Sequence, residues 1–327
     1  MERSRIFTIA AWAIGALFLG AVAAVGFATG GFGLGELSQP QEEAFDQDYR
    51  YSWNVDEDPV TGLNISWFHG PVELKVGDGN VIYVTERSSG ELEEGEQLEL
   101  SSSGGVLTIK WNSQLLALDL LDTRSKALAA QVPAQVAAQL KELRCTTVSG
   151  TVTARGFSAE ELEFASDSGS LELYDLRGEE ASFQAGSGAL LLQGAQIAGE
   201  LRADTGSGTL ELRDVAAGRA ELSSVSGGLW YQGQADQLAA GTISGVVEAA
   251  LAACPQQARM TSVSGGLTLA LPEDAGFEAA FSSMSGEFRS DFPVSGDRGP
   301  SGRALYGDGR CKLEFATTSG SMVVARG

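Results

Sequence analysis

The sequence predicts an all-β protein, a single-stranded parallel β-helix (β-solenoid) of about nine to ten rungs. An N-terminal β-rich cap and one N-terminal transmembrane helix are predicted to precede the rungs. Three observations support this: Ser-Gly pairs at a near-constant step, alternating apolar residues around each pair, and one long uncharged run near the N-terminus. The step is 18 to 21 residues, except for a last step of 34. A fixed period near twenty indicates one repeated structural unit that buries its apolar face against its neighbours. The corner glycines are Gly150, Gly169, Gly188, Gly208, Gly227, Gly245, Gly265, Gly286 and Gly320.

Apolar residues alternate with polar ones on both sides of each Ser-Gly pair. The second residue after each glycine is apolar in all nine units, as are the fifth and seventh residues before it. The residues between these positions carry most of the charges. Alternation with a period of two is the signature of a half-buried strand, so each unit is predicted to be strand, Ser-Gly corner, strand.

The corner glycines are predicted to be structural. Glycine tolerates a positive φ angle and a close backbone approach that side chains with a Cβ resist. The third residue before each glycine is always Ser, Thr or Ala, which leaves room for a sharp turn. The corner serine can hydrogen-bond the turn backbone.

The N-terminus predicts a membrane anchor. Residues 6–28 form an uncharged run of 23 residues, long enough as a helix to cross the hydrocarbon core. Arg3 and Arg5 precede the run and acidic residues follow it, which places the N-terminus in the cytoplasm and the bulk of the chain outside. The chain is therefore expected in the cell membrane as a single-pass protein. Cleavage after the small residues of Gly26–Ala28 is the open alternative.

Four segments are predicted: a transmembrane signal-anchor at 1–28, a flexible stalk at 29–50, a β-rich cap at 51–125 and β-solenoid repeats at 126–327. Residues 126–132 are expected to form a strand, followed by an alanine-rich coil or short helix around Pro133. The long last step contains a Gly-, Pro- and Ser-rich insertion at 291–310. A closing rung, Lys312 to Ala325, is expected after it.

The charge of the chain restricts its partners. Forty-three acidic residues against 22 basic ones give a formal charge of −21. Nucleic acid is excluded as a partner because its binding needs clustered Lys and Arg. No calcium-binding repeat or EF-hand loop occurs, so neither a metal site nor a cofactor is predicted.

The three cysteines predict no disulfide framework. Cys145 occupies an inward column, whereas Cys254 and Cys311 lie nine residues after and nine residues before their corner glycines. They share no column, and no CxxC spacing occurs.

One outward column contains a candidate binding patch. Glu211, Trp230 and Glu248 each stand three residues after a corner glycine in successive units. Two carboxylates about 9.6 Å apart, by strand spacing, would approach the separation of inverting glycosidases. However, such a convex, solvated face offers nothing that would raise the pKa of one carboxyl group. We therefore interpret the patch as a glycan contact and assign no catalytic residue.

The repeated corners resemble a bacterial family. Thr147–Gly150, Ser224–Gly227 and Ser262–Gly265 carry the Thr/Ser-Val-Ser-Gly sequence, and Leu269–Pro272 and Tyr306–Gly309 follow a similar order near the end. These motifs are similar to those of the β-strand-repeat surface proteins called putative adhesins, the DUF4097 family. The resemblance covers roughly residues 60–327 and implies a membrane-anchored surface protein without established catalytic residues.

The predicted function is that of a non-catalytic binding, adhesion or scaffold module at the bacterial cell surface. Its candidate partners are the membrane, through residues 6–28, and cell-wall polymer or a surface or membrane protein. An accessory role in envelope-stress signalling is the first alternative. A glycan-active enzyme is the second.

Overall fold

The computed structural model describes residues 45–112, 124–297 and 299–327. Of these described residues, 68% are in strands and 1% in helix. A four-residue helix, α1, covers Ala134–Ala137. The strands are, in chain order, β1 (Gln47–Asn54), β2 (Gly62–His69), β3 (Val72–Gly77), β4 (Val81–Ser88), β5 (Glu99–Ser103), β6 (Val106–Lys110), β7 (Lys126–Pro133), β8 (Leu140–Ser149), β9 (Val152–Arg155), β10 (Ser158–Ser166), β11 (Leu171–Tyr174), β12 (Arg177–Ala185), β13 (Leu190–Gln193), β14 (Gln196–Thr205), β15 (Leu210–Ser226), β16 (Leu229–Ser244), β17 (Val247–Leu251), β18 (Gln257–Ser264), β19 (Leu267–Leu271), β20 (Phe277–Ser285), β21 (Phe288–Ser290), β22 (Ser295–Gly296), β23 (Ser301–Tyr306), β24 (Cys311–Ser319) and β25 (Met322–Arg326).

The strands form two parallel stacks joined at the corners, as expected for a solenoid. The strands that precede the corners stack in the order β6, β2, β8, β10, β12, β14, then the second parts of β15 and β16, then β18, β24 and β20. The strands that follow the corners stack in the order β7, β3, β9, β11, β13, the first parts of β15 and β16, then β17, β19, β25 and β21. One strand from each stack makes one turn of the chain, which we call a coil.

The coils at the two ends do not follow chain order. The coil β2–β3 lies between β6–β7 and β8–β9. At the other end, β24–β25 lies between β18–β19 and β20–β21. The expectation that Lys312–Ala325 closes the stack is therefore wrong, because this coil is inserted one position inside the end.

Antiparallel strands cover both stacks at the first end and the first stack at the second end. At the first end, β5 pairs with β6. Strand β4 pairs with β7 on one side and with β1 on the other. At the second end, β23 pairs with β20 and with β22. Strands β22 and β23 lie in the predicted insertion at 291–310. Covering the last parallel strand removes an edge on which another chain could add.

The core follows the alternation read from the sequence. Leu210 and Leu212 of β15 are fully buried, whereas Glu211 between them lies on the outer side. The same inward position is buried in every coil that carries a Ser-Gly corner. Its residues are Val152, Leu171, Leu190, Leu210, Leu229, Val247, Leu267, Phe288 and Met322. All belong to one continuous hydrophobic cluster.

The corner glycines stack directly on one another. A Cβ built on Gly265 would overlap the carbonyl oxygen of Gly245, and a Cβ on Gly245 would overlap that of Gly227. The same relationship holds at the other corners, and it continues through Gly150 to Gly70, the corner of β2 and β3. Gly265 also has a φ of +147°, which side chains disfavour. These contacts give a physical reason for a glycine in every coil.

Cys254 and Cys311 form a disulfide bond, with 5.9 Å between their Cα atoms. The expectation of no disulfide is therefore wrong. Cys311 begins β24, and the inserted position of β24 beside β18 brings it next to the loop that holds Cys254. Cys145 is fully buried in the core, as expected.

The segment at residues 126–132 is confirmed as a strand, β7, and α1 follows Pro133. The predicted anchor at residues 6–28 lies outside the described residues. Within the described ranges, no helix is long and apolar enough to cross a bilayer.

Candidate functional site

The predicted patch lies on the outer side of the second stack. Glu211 pairs with Trp230 in the parallel register of β15 and β16, and Trp230 pairs with Glu248 of β17. The inward neighbours Leu210, Leu229 and Val247 are fully buried. Because side chains alternate along a strand, burial of these neighbours turns the three patch residues outward.

The six-membered ring of Trp230 occupies the space that a side chain at Gly228 would fill. A Cβ built on Gly228 would overlap the Cη2 and Cζ3 atoms of this ring. Gly228 lies immediately before β16 and two residues before Trp230, so both positions face the outer side of the stack. The absence of a side chain at Gly228 therefore makes room for this ring. Trp230 is only partly buried, so part of its surface remains accessible.

Polar groups surround this ring. Arg213 donates from its Nε to Oε1 of Glu211 at 2.7 Å, and its second guanidinium nitrogen contacts the same oxygen. Gln232, Glu248 and Thr268 line a shallow depression of about 270 Å³ beside the indole. The arrangement combines an aromatic face with hydrogen-bond donors and acceptors on an open surface.

The geometry does not favour acid–base chemistry. Glu211 is occupied by Arg213, and both carboxylates of the patch belong to a solvated strand face. General acid catalysis by a carboxyl group needs an environment that keeps it protonated near neutral pH. No clusters of three or more His, Cys, Asp and Glu side chains with metal-binding geometry occur among the described residues.

A second depression, of about 430 Å³, lies on the first stack and was not predicted from the sequence. Its floor is formed by Ala239 and Gly241 of β16, and Arg202, Glu221 and Arg259 stand at its sides. The small residues Ala239 and Gly241 are the feature of the sequence that could have predicted this depression. Ala239 is a small outward residue between Glu221 and Arg259 of the neighbouring coils, and Gly241 beside it has no side chain, which leaves a depression in the surface.

Ion pairs between coils bracket this second depression. Arg202 contacts Glu221 of the next coil at 2.8 Å, and Arg144 contacts Glu163 at 2.9 Å elsewhere on the stack. Hydrogen bonds from Arg219 and then Arg202 lower the pKa of the Glu221 carboxyl group. These groups satisfy one another, so the depression offers little unpaired charge to a ligand.

The single histidine of the sequence, His69, lies at the end of β2. His69 lies against the aromatic ring of Trp111, with 5.1 Å between ring centroids, and 6.2 Å from the ring of Phe68. It therefore belongs to an aromatic cluster at the first end of the stack, away from the patch at Trp230.

The chain belongs to the Toastrack DUF4097 family, whose model matches residues 72–324. No curated protein matches the sequence.

Three solved structures illustrate the range of similar proteins. A putative cell adhesion protein from Clostridium sporogenes is 9% identical, with 86% of this chain and 99% of that chain covered and a TM-score of 0.24. A putative lipid binding protein from Parabacteroides distasonis is 14% identical, with 85% and 97% covered and a TM-score of 0.48. A putative adhesin from Bacteroides fragilis is 10% identical, with 86% and 97% covered and a TM-score of 0.40.

Proposed function

We propose that this chain is a non-catalytic binding module of the bacterial cell surface that contacts neutral cell-wall glycan. Residues 6–28 anchor it in the membrane, with the N-terminus in the cytoplasm and the solenoid outside. The observation that carries the proposal is the partly exposed indole of Trp230, which lies against Gly228 on the outer side of the second stack.

The chemistry of this patch suits a sugar ring. The apolar face of a pyranose stacks on an aromatic ring, while its hydroxyl groups need hydrogen-bonding partners around the edge. Gln232, Thr268 and the carboxylate of Glu248 supply such partners in the adjoining depression. A formal charge of −21 disfavours anionic polymers, which leaves neutral glycan as the best-matched ligand.

Binding without turnover follows from the same geometry. The patch lies on an open strand surface, where water has full access and a glycosidic bond would not be distorted or enclosed. The ion pair between Arg213 and Glu211 engages one of the two carboxylates.

The disulfide between Cys254 and Cys311 supports an extracytoplasmic location. Disulfides persist in oxidising compartments and are rare in the cytosol. This agrees with the orientation expected from Arg3 and Arg5 before the apolar run. The alternative role, in envelope-stress signalling, has no specific observation among the described residues in its favour.

The test is co-sedimentation of the full chain, kept in dilute non-ionic detergent, with insoluble cell-wall glycan. We expect Trp230→Ala to weaken binding about tenfold, the loss of about 1.4 kcal/mol of stacking. Tyr174→Ala is the matched control, because Tyr174 is a surface aromatic on the same stack, beside Arg155. Equal binding by wild type and Trp230→Ala would contradict the glycan site. Release of soluble sugar that depends on Glu211 or Glu248 would contradict the non-catalytic role.

A further inference from the structure

Exposed apolar side chains are concentrated on one line of the surface. Seven large hydrophobic residues are exposed within the described ranges, and five of them surround the corners of the second half of the stack. Met284 is 85% exposed and Ile243 is 53% exposed. The five are Val225, Ile243, Val246, Val263 and Met284.

Four of these residues share one position in the coils. Val225, Ile243, Val263 and Met284 each stand two residues before a corner glycine. The register of the flanking serines aligns Val225 with Ile243 and Ile243 with Val263. The inserted coil then places Thr318 between Val263 and Met284. We call these five aligned positions, together with Val246, the corner ridge.

The corner ridge is almost free of charge. In its five coils, the segments 223–228, 241–246, 261–266, 282–287 and 316–321 contain a single charged residue, Glu287. Charged residues make up 20% of the chain, so about six would be expected in these thirty positions. This band is therefore the part of a strongly acidic surface that another acidic surface can approach without repulsion.

The backbone of the ridge is already hydrogen-bonded. The N–H of Gly227 donates to the carbonyl of Ser244 at 3.1 Å, and the N–H of Gly245 donates to that of Ser264 at 3.0 Å. The N–H of Gly265 donates to Ser319 at 3.0 Å. Because these groups are paired along the stack, an added strand cannot be held by them. A partner must be bound through the side chains.

The ridge has a defined beginning and end. In the two coils before Val225 its position is occupied by Gly206 and Gly186, whose backbones are too closely stacked for a Cβ. At the other end, Met284 belongs to β20, on which the antiparallel strand β23 is paired. The ridge therefore spans four steps between strands, or roughly 19 Å.

We propose that the corner ridge is a contact surface for a second copy of this chain, packed ridge to ridge about a two-fold axis. In that arrangement side chains at strand spacing on one copy fit between those at the same spacing on the other. The contact brings together the least charged parts of two molecules. Each molecule has a formal net charge of −21, so the rest of their surfaces repel each other. A lipid surface is a poorer match, because the ridge segments contain no Lys, Arg or Trp to anchor at a headgroup layer.

The expected dimer is reversible. A stable protein interface buries about 800 Å² on each partner, and a narrow ridge of five apolar side chains covers less than this. Self-association should therefore increase with concentration rather than persist on dilution. Trp230 lies outside the ridge segments, so glycan binding and dimer formation can be tested separately.

The experiment is sedimentation velocity of the full chain in dilute non-ionic detergent, over a concentration series. We expect a monomer–dimer equilibrium that the double variant Ile243→Ser/Val263→Ser weakens at least about tenfold, since it removes apolar area from both sides of the contact. The matched control is Tyr83→Ser/Leu305→Ser, which replaces two large hydrophobic residues that are exposed off the ridge in the described part of the chain. All variants keep residues 6–28, so any association through that run is the same in each. Thermal unfolding checks that the replaced surface residues leave the fold intact.

A wild-type chain that stays monomeric throughout the series would overturn the proposal. So would self-association that the ridge variant leaves unchanged, or that the control variant weakens equally. Capture of the wild-type chain by neutral phosphatidylcholine vesicles, lost in the ridge variant and without self-association, would assign the ridge to lipid instead.

Discussion

Lys126 and Glu86 form a buried ion pair at the first end of the stack, with 3.0 Å between Nζ and Oε1 and side chains that are 4% and 0% exposed. Oε2 of Glu86 accepts the backbone N–H of Leu98 at 2.8 Å, and Nζ of Lys126 also donates to the carbonyl of Glu96. The ammonium group lies 4.3 Å from the ring centroid of Trp111. The pair joins antiparallel strand β4 to β7, so it holds the covering strands on the parallel coils.

Removing one member of this pair should be costly. We expect Lys126→Met to lower the free energy of unfolding by about 3–5 kcal/mol, because a buried carboxylate is left without its partner. The double variant Lys126→Met/Glu86→Gln should recover much of this loss, since the glutamine oxygen still accepts from Leu98 without a charge. Denaturant unfolding measures both. A double variant less stable than the single one would contradict this role of the pair.

The disulfide should stabilise the inserted coil. Cys254 and Cys311 are separated by 57 residues, and closing such a loop in the unfolded chain is worth about 4 kcal/mol in the chain-entropy model. We expect Cys254→Ser/Cys311→Ser to lose stability of this order. Hydrogen exchange should accelerate most in β24 and β25, which the disulfide ties to the neighbouring coil.

Two matched treatments separate the disulfide from other effects. Cys145→Ala changes a cysteine that is buried in the core and takes no part in the bond. Reductant should destabilise the wild type and the Cys145→Ala variant while leaving the double serine variant unchanged. Faster exchange spread evenly over all strands would argue against a local effect of the bond.

Glu221 should make stability depend on pH. Hydrogen bonds from Arg219 and Arg202 lower its pKa below the ordinary value of 4.5, so its contribution is present above about pH 4.5 and is lost as pH falls through the lower, folded-state pKa. The group is partly solvated, so we expect the contribution to be at most about 1 kcal/mol. Glu221→Gln should melt below wild type at pH 7, and the difference should vanish in acid.

The control for this pH effect is Glu248→Gln. Glu248 lies on the outer side of the second stack, and no ion pair to it occurs within the described residues. Its difference from wild type at pH 7 should be smaller than that of Glu221→Gln, because no ion pair is lost. A pH-independent difference for Glu221→Gln would contradict the proposed ion-pair network.

The alternation of apolar and polar residues allowed each coil to be predicted from the sequence. The order in which the coils stack at the two ends could not be predicted. Every coil presents the same inward chemistry, so β20 could pair with β18 as readily as β24 does. Only side chains outside the repeat distinguish these arrangements, and Cys254 and Cys311 are two of them. Their different offsets from the corners concealed a contact that the insertion of β24 creates.

The positions of the patch residues could be predicted from the sequence, but the orientation of the Trp230 side chain could not. A constant step placed Trp230 between Glu211 and Glu248, and the register agrees. That the indole lies over Gly228 depends on its side-chain torsion angles, which a repeat pattern does not specify. The depression over Ala239 and Gly241 was missed because small outward residues carry no chemistry of their own.

The repeated corner glycine has a structural role, because it lets the backbone of one coil pack directly on the backbone of the next. Gly265 and Gly266 test it most directly as neighbours in one corner. Gly265 has a φ of +147°, and a Cβ added to it would overlap the carbonyl oxygen of Gly245. A Cβ added to Gly266 would meet its nearest atom, Oγ of Ser321, at 3.6 Å.

The decisive measurement is the free energy of unfolding of the two alanine variants. We expect Gly265→Ala to lose more than about 1 kcal/mol, because strained backbone and overlap act together. Gly266→Ala should stay within about 0.5 kcal/mol of wild type or exceed it, since alanine reduces the freedom of the unfolded chain. Equal stability of the two variants would contradict the stacked-glycine account of this fold.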